Sequence, residues 1–155
     1  MPSQPIMEFR PASPRDVPAI RELVRAAYAK WVPVIGREPL PMTADYEIAV
    51  KEHEIEILYL DHEMAALIET MLLPDHVWIE NVAVHPNQQG KGLGPKLVTR
   101  VEEKAASAGR GESRLQTNGA FAANIALYMK LGYTLDKHEP FMGGITVFMS
   151  KTLRG

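Results

Sequence analysis

The sequence predicts one α/β or α+β domain, in which a single sheet carries helices on both faces. Apolar residues alternate in some segments and recur at helical spacing in others, and the two kinds of segment interleave in the order βααβββαβαββ. The 155 residues are enough for one domain of ordinary size with a hydrophobic core. We therefore expect residues 1–155 to form a single domain.

The individual elements follow from this periodicity and from the residues that interrupt it. Ser13 is placed as the N-cap of the first helix, and the prolines and glycine between residues 33 and 43 predict a loop after that helix. In the last strand we expect Ile145, Val147 and Met149 to point inward. The predicted strands cover residues 6–10, 54–60, 63–73, 76–84, 113–117, 133–137 and 145–153, and the helices lie near residues 13–31, 44–52, 93–108 and 120–131.

Composition and charge exclude several classes of protein. Hydrophobic residues make up 46% and charged residues 23%, which is unlike disordered or collagen-like chains. The formal net charge is −2 without a basic block, so nucleic acid is not an expected partner. No cysteine is present, which excludes disulfides and thiolate chemistry, and the histidines show no metal-ligand spacing. No signal-peptide core or membrane-length apolar run occurs, so we expect a cytoplasmic protein without membrane contact.

The stretch VAVHPNQQGKGLG, residues 82–94, joins an apolar strand to an amphipathic helix through three glycines. The first amides of a helix lack intrahelical partners, and the helix dipole favours an anion there. Gly90, Gly92 and Gly94 would let the backbone approach a phosphate closely, with Gln89 and Lys91 at the rim. Neither a P-loop nor a dinucleotide fingerprint fits, because His85 and Pro95 stand where those motifs need glycine.

The pattern Q-x-x-G-x-G, formed by Gln89, Gly92 and Gly94, resembles the acyl-CoA motif of the GNAT superfamily of N-acetyltransferases. Further similar segments occur in the family's order: FRPASPRDVPAIRELV, VWIENVAVHPNQQGKGLG, NIALYMKLGY and GGITVFMSKTL. The resemblance implies a mixed, mostly antiparallel twisted sheet of about six to seven strands, flanked by about four helices on both faces. It also implies acetyl-CoA as co-substrate, and because of the histidine spacing we expect no metal.

The resemblance assigns roles to particular residues. It implies that Val82, Ala83 and Val84 pair with the pantetheine arm, that the amides from Gly90 to Gly94, Leu93 among them, hold the pyrophosphate, and that Asn124 contacts the arm. Tyr128 would protonate the departing thiolate. The family's acceptor cleft would be built from Tyr28, Trp31, Met42 and Tyr46.

The apolar parity of the strand before the glycines changes at Glu80-Asn81, which predicts a β-bulge. Acetyl transfer needs a neutral amine, yet a lysine-like amine has a pKa of about 10.4 and is only about one part in a thousand neutral at pH 7. Glu80 is the first candidate for the base, and Asp75, His76 and His138 are alternatives. A backbone amide of residues 82–84 would stabilise the oxyanion, and without cysteine we expect direct attack in a ternary complex.

Other interpretations remain open from the sequence. The chain could be an acyl-CoA-binding regulatory module without chemistry, or a nucleotide-phosphate binder that uses the same turn. Tyr28, Tyr46 and Tyr128 could be core residues, and Glu80 could simply face solvent. The acceptor would be an amine of a small molecule or a peptide, and the family makes a homodimer plausible.

Overall fold

A computed structural model describes residues 4–154 of the chain. Within this range seven strands form one sheet in the order β1-β2-β3-β4-β5-β7-β6. All neighbouring strands are antiparallel except β4 and β5, which are parallel, so the predicted mostly antiparallel sheet is confirmed. The strands are β1 Met7–Pro11, β2 Glu54–Leu60, β3 Glu63–Leu72, β4 Val77–Val84, β5 Glu112–Asn118, β6 Thr134–Phe141 and β7 Gly144–Thr152.

Helices cover both faces of the sheet, as the sequence predicts. The helices are α1 Val17–Tyr28, α2 Val32–Ile35, α3 Tyr46–Glu52, α4 Leu93–Ser107 and α5 Ala122–Lys130, of which α2 is a single turn. One core cluster packs α1 and α3 against the sheet, and the other packs α4 and Tyr128 of α5 against it. None of the helices within the described residues has the length and hydropathy of a membrane span.

The predicted N-cap is confirmed, because Ser13 precedes the first helical turn and its backbone N–H donates to the Asp16 carboxylate in a capping box. Two other local expectations need correction. The loop predicted from residue 33 begins later, because Pro33 lies in the first turn of α2, where a missing N–H costs nothing. Ile145 is 47% exposed rather than inward, because it lies at the tip of the β6–β7 hairpin, beyond the core.

The bulge predicted in β4 is confirmed by the register of β3 and β4. Asn81 pairs with Glu69 and Ile79 pairs with Thr70, so Glu80 is the extra residue. As a result Val82 and Val84 lie on the same face as Ile79, towards α4.

Strands β4 and β5 separate at this bulge. Their pairing covers only residues 77–79 of β4 and 113–115 of β5. From Glu80 onwards β4 has no strand partner on its β5 side among the described residues. The sheet is therefore open at the point where β4 leads into the glycine turn.

Candidate active site

A cavity of about 1150 Å³ occupies the opening between β4 and β5. It is lined by both separating strands, by α1 and α3 on one face of the sheet, and by the glycine turn and α5 on the other. The cavity thus connects the two faces through the split in the sheet.

The glycine turn presents free backbone amides to this cavity. Gly90 and Gly92 have φ values of 80°, a conformation that favours glycine, and no atom lies within 4 Å of a Cβ built on either residue. None of the backbone N–H groups of residues 90–94 donates a hydrogen bond to another described residue. Because α4 begins at Leu93, these amides also lie at the positive end of its dipole. The turn can therefore bind an anion with its backbone alone.

The side chains at the rim of the turn are partly engaged. Gln89 donates from Nε2 to the Val84 carbonyl over 3.0 Å, and its Oε1 accepts from Lys30 Nζ over 2.9 Å. These two bonds indicate that Gln89 holds the turn against β4 and against the segment that follows α1. Lys91 donates to Gln88 Oε1 over 3.2 Å from an exposed position.

In the segment of β4 after the bulge, some residues face the cavity with their side chains and others only with their backbone. The side chains of Val82 and Val84 are half-buried and lie beside Gly94, where an added Cβ would be 3.8 Å from Val84 Cγ2 and 3.9 Å from Val82 Cγ1. Ala83 is buried in the other core cluster, against α1, so only its backbone is available to a ligand. Leu93 is buried in the α4 cluster and borders the cavity.

A chain of hydrogen bonds from two tyrosines holds the bulge. Tyr28 Oη donates to Asn81 Oδ1 over 2.6 Å and lies 3.2 Å from the Val82 carbonyl oxygen. Asn81 Nδ2 donates to Tyr46 Oη over 3.2 Å, and Tyr46 Oη donates to the Pro41 carbonyl over 2.6 Å. Burial raises the pKa of both tyrosines well above its usual range. Both rings border the cavity, but their hydroxyls are committed to the protein.

Of the other two predicted cleft residues, Trp31 lines the cavity and Met42 does not. The Trp31 ring stacks on Phe121, with centroids 4.4 Å apart and planes inclined by 22°. The stack joins the end of the α1 segment to the residue before α5, so it bridges two walls of the cavity. Met42 is buried beside α1, where its carbonyl accepts from Arg25, and this placement corrects the prediction for Met42.

Tyr128 and Asn124 on α5 offer free polar groups to the cavity. Neither side chain forms a hydrogen bond with another residue of the described range. Since no side-chain N or O atom in that range is both fully buried and without a partner, the Tyr128 hydroxyl must be reached from the cavity. Burial raises the pKa of Tyr128 to about 12. The phenol is therefore a protonated donor at neutral pH.

Glu80 is the only one of the four candidate bases that borders the cavity in the described part of the chain. Its side chain is exposed, and Oε2 accepts from Trp78 Nε1 over 2.7 Å. Asp75 and His76 pair with each other over 2.6 Å at the entry of β4, outside the cavity lining. His138 lies on the exposed edge strand β6, also outside the lining.

The most buried acidic group of the cavity escaped the sequence prediction. Glu69 on β3 is only 4% exposed, and its Oε2 lies 2.6 Å from His53 Nδ1. Burial raises the pKa of the Glu69 carboxyl, the hydrogen bond from His53 opposes this, and the nearby Glu80 adds to the rise. One signal was available in the sequence, because Glu69 is the lone charge inside the apolar run of β3.

No group of three or more His, Cys, Asp or Glu side chains within residues 4–154 is arranged to hold a metal ion. The polar groups that face the cavity are therefore amides, hydroxyls, carboxylates, one imidazole and a few cationic side chains.

A family model described as the acetyltransferase (GNAT) family matches residues 17–133, which is most of the chain. The protein belongs to the GNAT family. Within this family, the ribosomal protein bS18-alanine N-acetyltransferase of Salmonella typhimurium is 34% identical over 76 residues, which is 49% of this chain and 51% of that protein. The L-amino acid N-acyltransferase MnaT of Escherichia coli is 32% identical over 68 residues, which is 44% of this chain and 40% of that protein. This GNAT chain thus spans about half the length of these curated relatives, or less.

Solved structures agree with the GNAT fold over nearly the whole chain. The PaiA N-acetyltransferase from Thermoplasma acidophilum, solved in complex with coenzyme A, superposes with a TM-score of 0.80 at 17% identity, covering 95% of this chain and 99% of that one. The ribosomal-protein-S18-alanine N-acetyltransferase from Escherichia coli superposes with a TM-score of 0.75 at 21% identity, covering 97% of this chain and 96% of that one. At these identities the likeness shows the fold alone.

Proposed function

We propose that this GNAT protein transfers an acetyl group from acetyl-CoA to the primary amine of a small molecule or a peptide. One observation carries the proposal: the free amides of residues 90–94 lie directly beyond the β4 segment that has lost its strand partner. A diphosphate and a peptide-like arm joined in one molecule, as in CoA, match this pair of features.

The cofactor site follows from that match. The N–H groups of residues 90–94 would bind the pyrophosphate, and the unpaired backbone of Val82–Val84 would pair with the pantetheine amides. Asn124 would donate to the same arm from the opposite wall. Pro95 has no N–H, so it contributes no phosphate contact. A fold neighbour solved in complex with coenzyme A supports the choice of CoA as the ligand.

The chemistry needs a proton donor for the sulfur and a negative environment for the amine. Tyr128 is a protonated, unengaged hydroxyl on the cofactor side, suited to protonate the leaving thiolate. Glu80 and Glu69 make the opposite end of the cavity acidic, which favours an acceptor that arrives as an ammonium ion. A backbone N–H of residues 82–84 would face the oxyanion.

The acceptor class is supported by two kinds of relative. One is named for the amine of an amino acid, and another for the alanine of a ribosomal protein. Both acceptors carry an α-amine, so an amino acid or a peptide N-terminus is the first choice for this chain.

The test is release of CoA thiol with acetyl-CoA and a panel of amino acids, N-terminal peptides, polyamines and lysine peptides. We expect thiol release that depends on both the donor and an amine, with a mass gain of one acetyl group on the acceptor. Excess CoA should inhibit, and equimolar ATP should not. Saturable acetyl-CoA binding without thiol release on any amine would instead identify a binding module, and inhibition by ATP alone would identify a nucleotide site.

A further inference from the structure

The pair formed by His53 and Glu69 lies at the acceptor end of the cavity. His53 ends α3, where its backbone N–H donates to Ala49, and Glu69 lies on β3 directly opposite Asn81 of the bulge. Both side chains border the cavity. The pair therefore lies beside the bulge, where the acetyl group of a cofactor bound along β4 would lie.

The hydrogen bond between the pair orients the imidazole. Nδ1 of His53 lies 2.6 Å from Glu69 Oε2, so a neutral ring beside the ionised carboxylate would donate its Nδ1–H to it. The lone pair then lies on Nε2, which has no hydrogen-bond partner among residues 4–154. The His53 side chain is 25% exposed, whereas that of Glu69 is 6% exposed. The carboxylate is therefore the buried anchor and the imidazole is the accessible member.

Charged and titratable groups from four elements surround this pair. Glu69 of β3 contacts His53 directly, and Glu80 of β4 adds to the rise in the pKa of Glu69. Glu69 in turn adds to the rise in the pKa of Tyr46 on α3 and of Tyr28 on α1. Glu52 and Glu54, adjacent to His53, are exposed. The pKa of Tyr28 is raised mainly by burial, and further by both Tyr128 and Glu69. The Tyr28 hydroxyl therefore lies close enough to interact electrostatically with Tyr128 and with Glu69.

The other candidate base is less suited to the step. The Glu80 carboxylate is exposed and already accepts from Trp78 Nε1. A free imidazole is also a stronger base than a free glutamate, by about two pKa units, which matters when the proton comes from an ammonium ion. The free Nε2 and the greater basicity of an imidazole therefore favour the histidine.

We propose that His53 is the proton acceptor for the amine and that Glu69 is the positioning residue that holds the His53 ring. This inference rests on the proposed acetyl transfer. One ammonium proton passes to Nε2 of His53 and on to solvent, and the neutral nitrogen forms the C–N bond with the acetyl carbon. As the C–S bond breaks, the sulfur takes the proton of Tyr128. The nitrogen then loses its second proton to solvent, and the Tyr128 oxygen takes up a proton from solvent.

The test compares His53→Asn with the matched variant His62→Asn by the pH dependence of kcat/KM. Asparagine at position 53 can still donate to Glu69 but has no Nε2. His62 also contacts a glutamate, Glu8, but lies on the β2–β3 turn outside the cavity lining. We expect His53→Asn to lower kcat/KM at pH 7 by about 100-fold and to remove the acidic limb of the profile. His62→Asn should retain both the rate and the limb.

Glu69→Gln separates positioning from simple stabilisation. Glutamine at position 69 no longer holds the ring through a charge-assisted hydrogen bond, so kcat should fall by about tenfold with acetyl-CoA affinity unchanged. A His53→Asn enzyme that melts earlier but keeps the acidic limb would assign the pair a purely structural role, and loss of the limb in Glu80→Gln alone would assign the base to Glu80. If the wild-type protein releases no thiol with any amine, the proposed function itself is wrong and this inference falls with it.

Discussion

At the scale of single residues, Gly92 and Gly109 occupy the two ends of α4 in almost the same backbone conformation. Their φ values are 80° and 82°, and neither has an atom within 4 Å of a would-be Cβ. They differ in their surroundings, because Gly92 borders the cavity and Gly109 does not. Substitution at both positions can therefore separate the effect of backbone strain on stability from the effect of an added methyl group on ligand binding.

Alanine at either position should cost about 1 kcal/mol of stability, since a left-handed backbone is strained for any residue with a Cβ. Only Gly92→Ala should weaken acetyl-CoA binding, by about tenfold or more, because its methyl group enters the space beside the free amides. Calorimetric titration and thermal unfolding of both variants measure the two effects. Equal loss of affinity in Gly92→Ala and Gly109→Ala would mean that strain alone is responsible.

Tyr128→Phe should lower kcat by about 100-fold, because the proton donor for the thiolate is removed. Its affinity for acetyl-CoA should stay close to that of the wild type, because the ring remains. Because the pKa of Tyr128 is raised to about 12, the phenol stays protonated through the assay range, and wild-type kcat should not fall on its account below pH 10. The control is Tyr59→Phe, which changes a tyrosine outside the cavity lining. Unchanged turnover in Tyr128→Phe would remove this tyrosine from the reaction.

The sequence predicts residues whose role depends on local backbone and fails for those whose partners are remote. The glycine turn could be recognised because its conformation and its helix position are both local. The pairing of His53 with Glu69 depends on how α3 docks against β3, and the stack of Trp31 on Phe121 joins residues 90 positions apart. Met42 was misplaced for the same reason, since only the fold decides which side of a turn is buried.

At the scale of elements, an ion pair helps to hold α4 on the sheet. Arg100 donates to both carboxylate oxygens of Glu56 on β2, over 2.8 and 3.1 Å, and its guanidinium lies 3.8 Å from the Phe9 ring centroid. Lys104 adds a third contact to Glu56. The hydrogen bond from Arg100 is the largest cause of the lowered pKa of Glu56.

Arg100→Met should therefore reduce the free energy of unfolding at pH 7 by about 1 kcal/mol, a small value because the arginine is partly exposed. A lowered carboxyl pKa stabilises the fold above the usual glutamate pKa of 4.5, and this contribution is lost as pH falls through the lower value in the folded state. Denaturant unfolding at pH 7 and pH 3 should show the difference from wild type shrinking at acid pH. Arg21→Met, at an exposed and longer contact, is the control and should change little at either pH.

Periodicity predicts most of these elements because each buries one face. It fails where burial is incomplete: β6 is exposed along its whole length and extends to Phe141, beyond the predicted residue 137. The tip of β7 fails in the same way at Ile145. The α2 turn differs from the prediction for another reason: Pro33 predicts a loop, but the first turn of a helix accepts proline.

At the scale of the whole molecule, the bulge and the strand separation turn a closed sheet into a passage between its two faces. The free amides, Asn124 and Tyr128 lie on the side of α4 and α5. The His53–Glu69 pair, Tyr28 and Tyr46 lie towards α1 and α3. Donor and acceptor can thus approach the bulge from opposite faces, which is what direct transfer in a ternary complex requires. The fold class was predictable from the sequence, but the passage depends on a register that only the assembled sheet defines.

A crystal structure of the protein grown with acetyl-CoA tests the central claim most directly. We expect the pyrophosphate oxygens within hydrogen-bonding distance of the N–H groups of residues 90–94, and the pantetheine arm paired with the backbone of Val82–Val84. A cofactor bound elsewhere at full occupancy, or a turn left empty at saturating acetyl-CoA, would contradict the account.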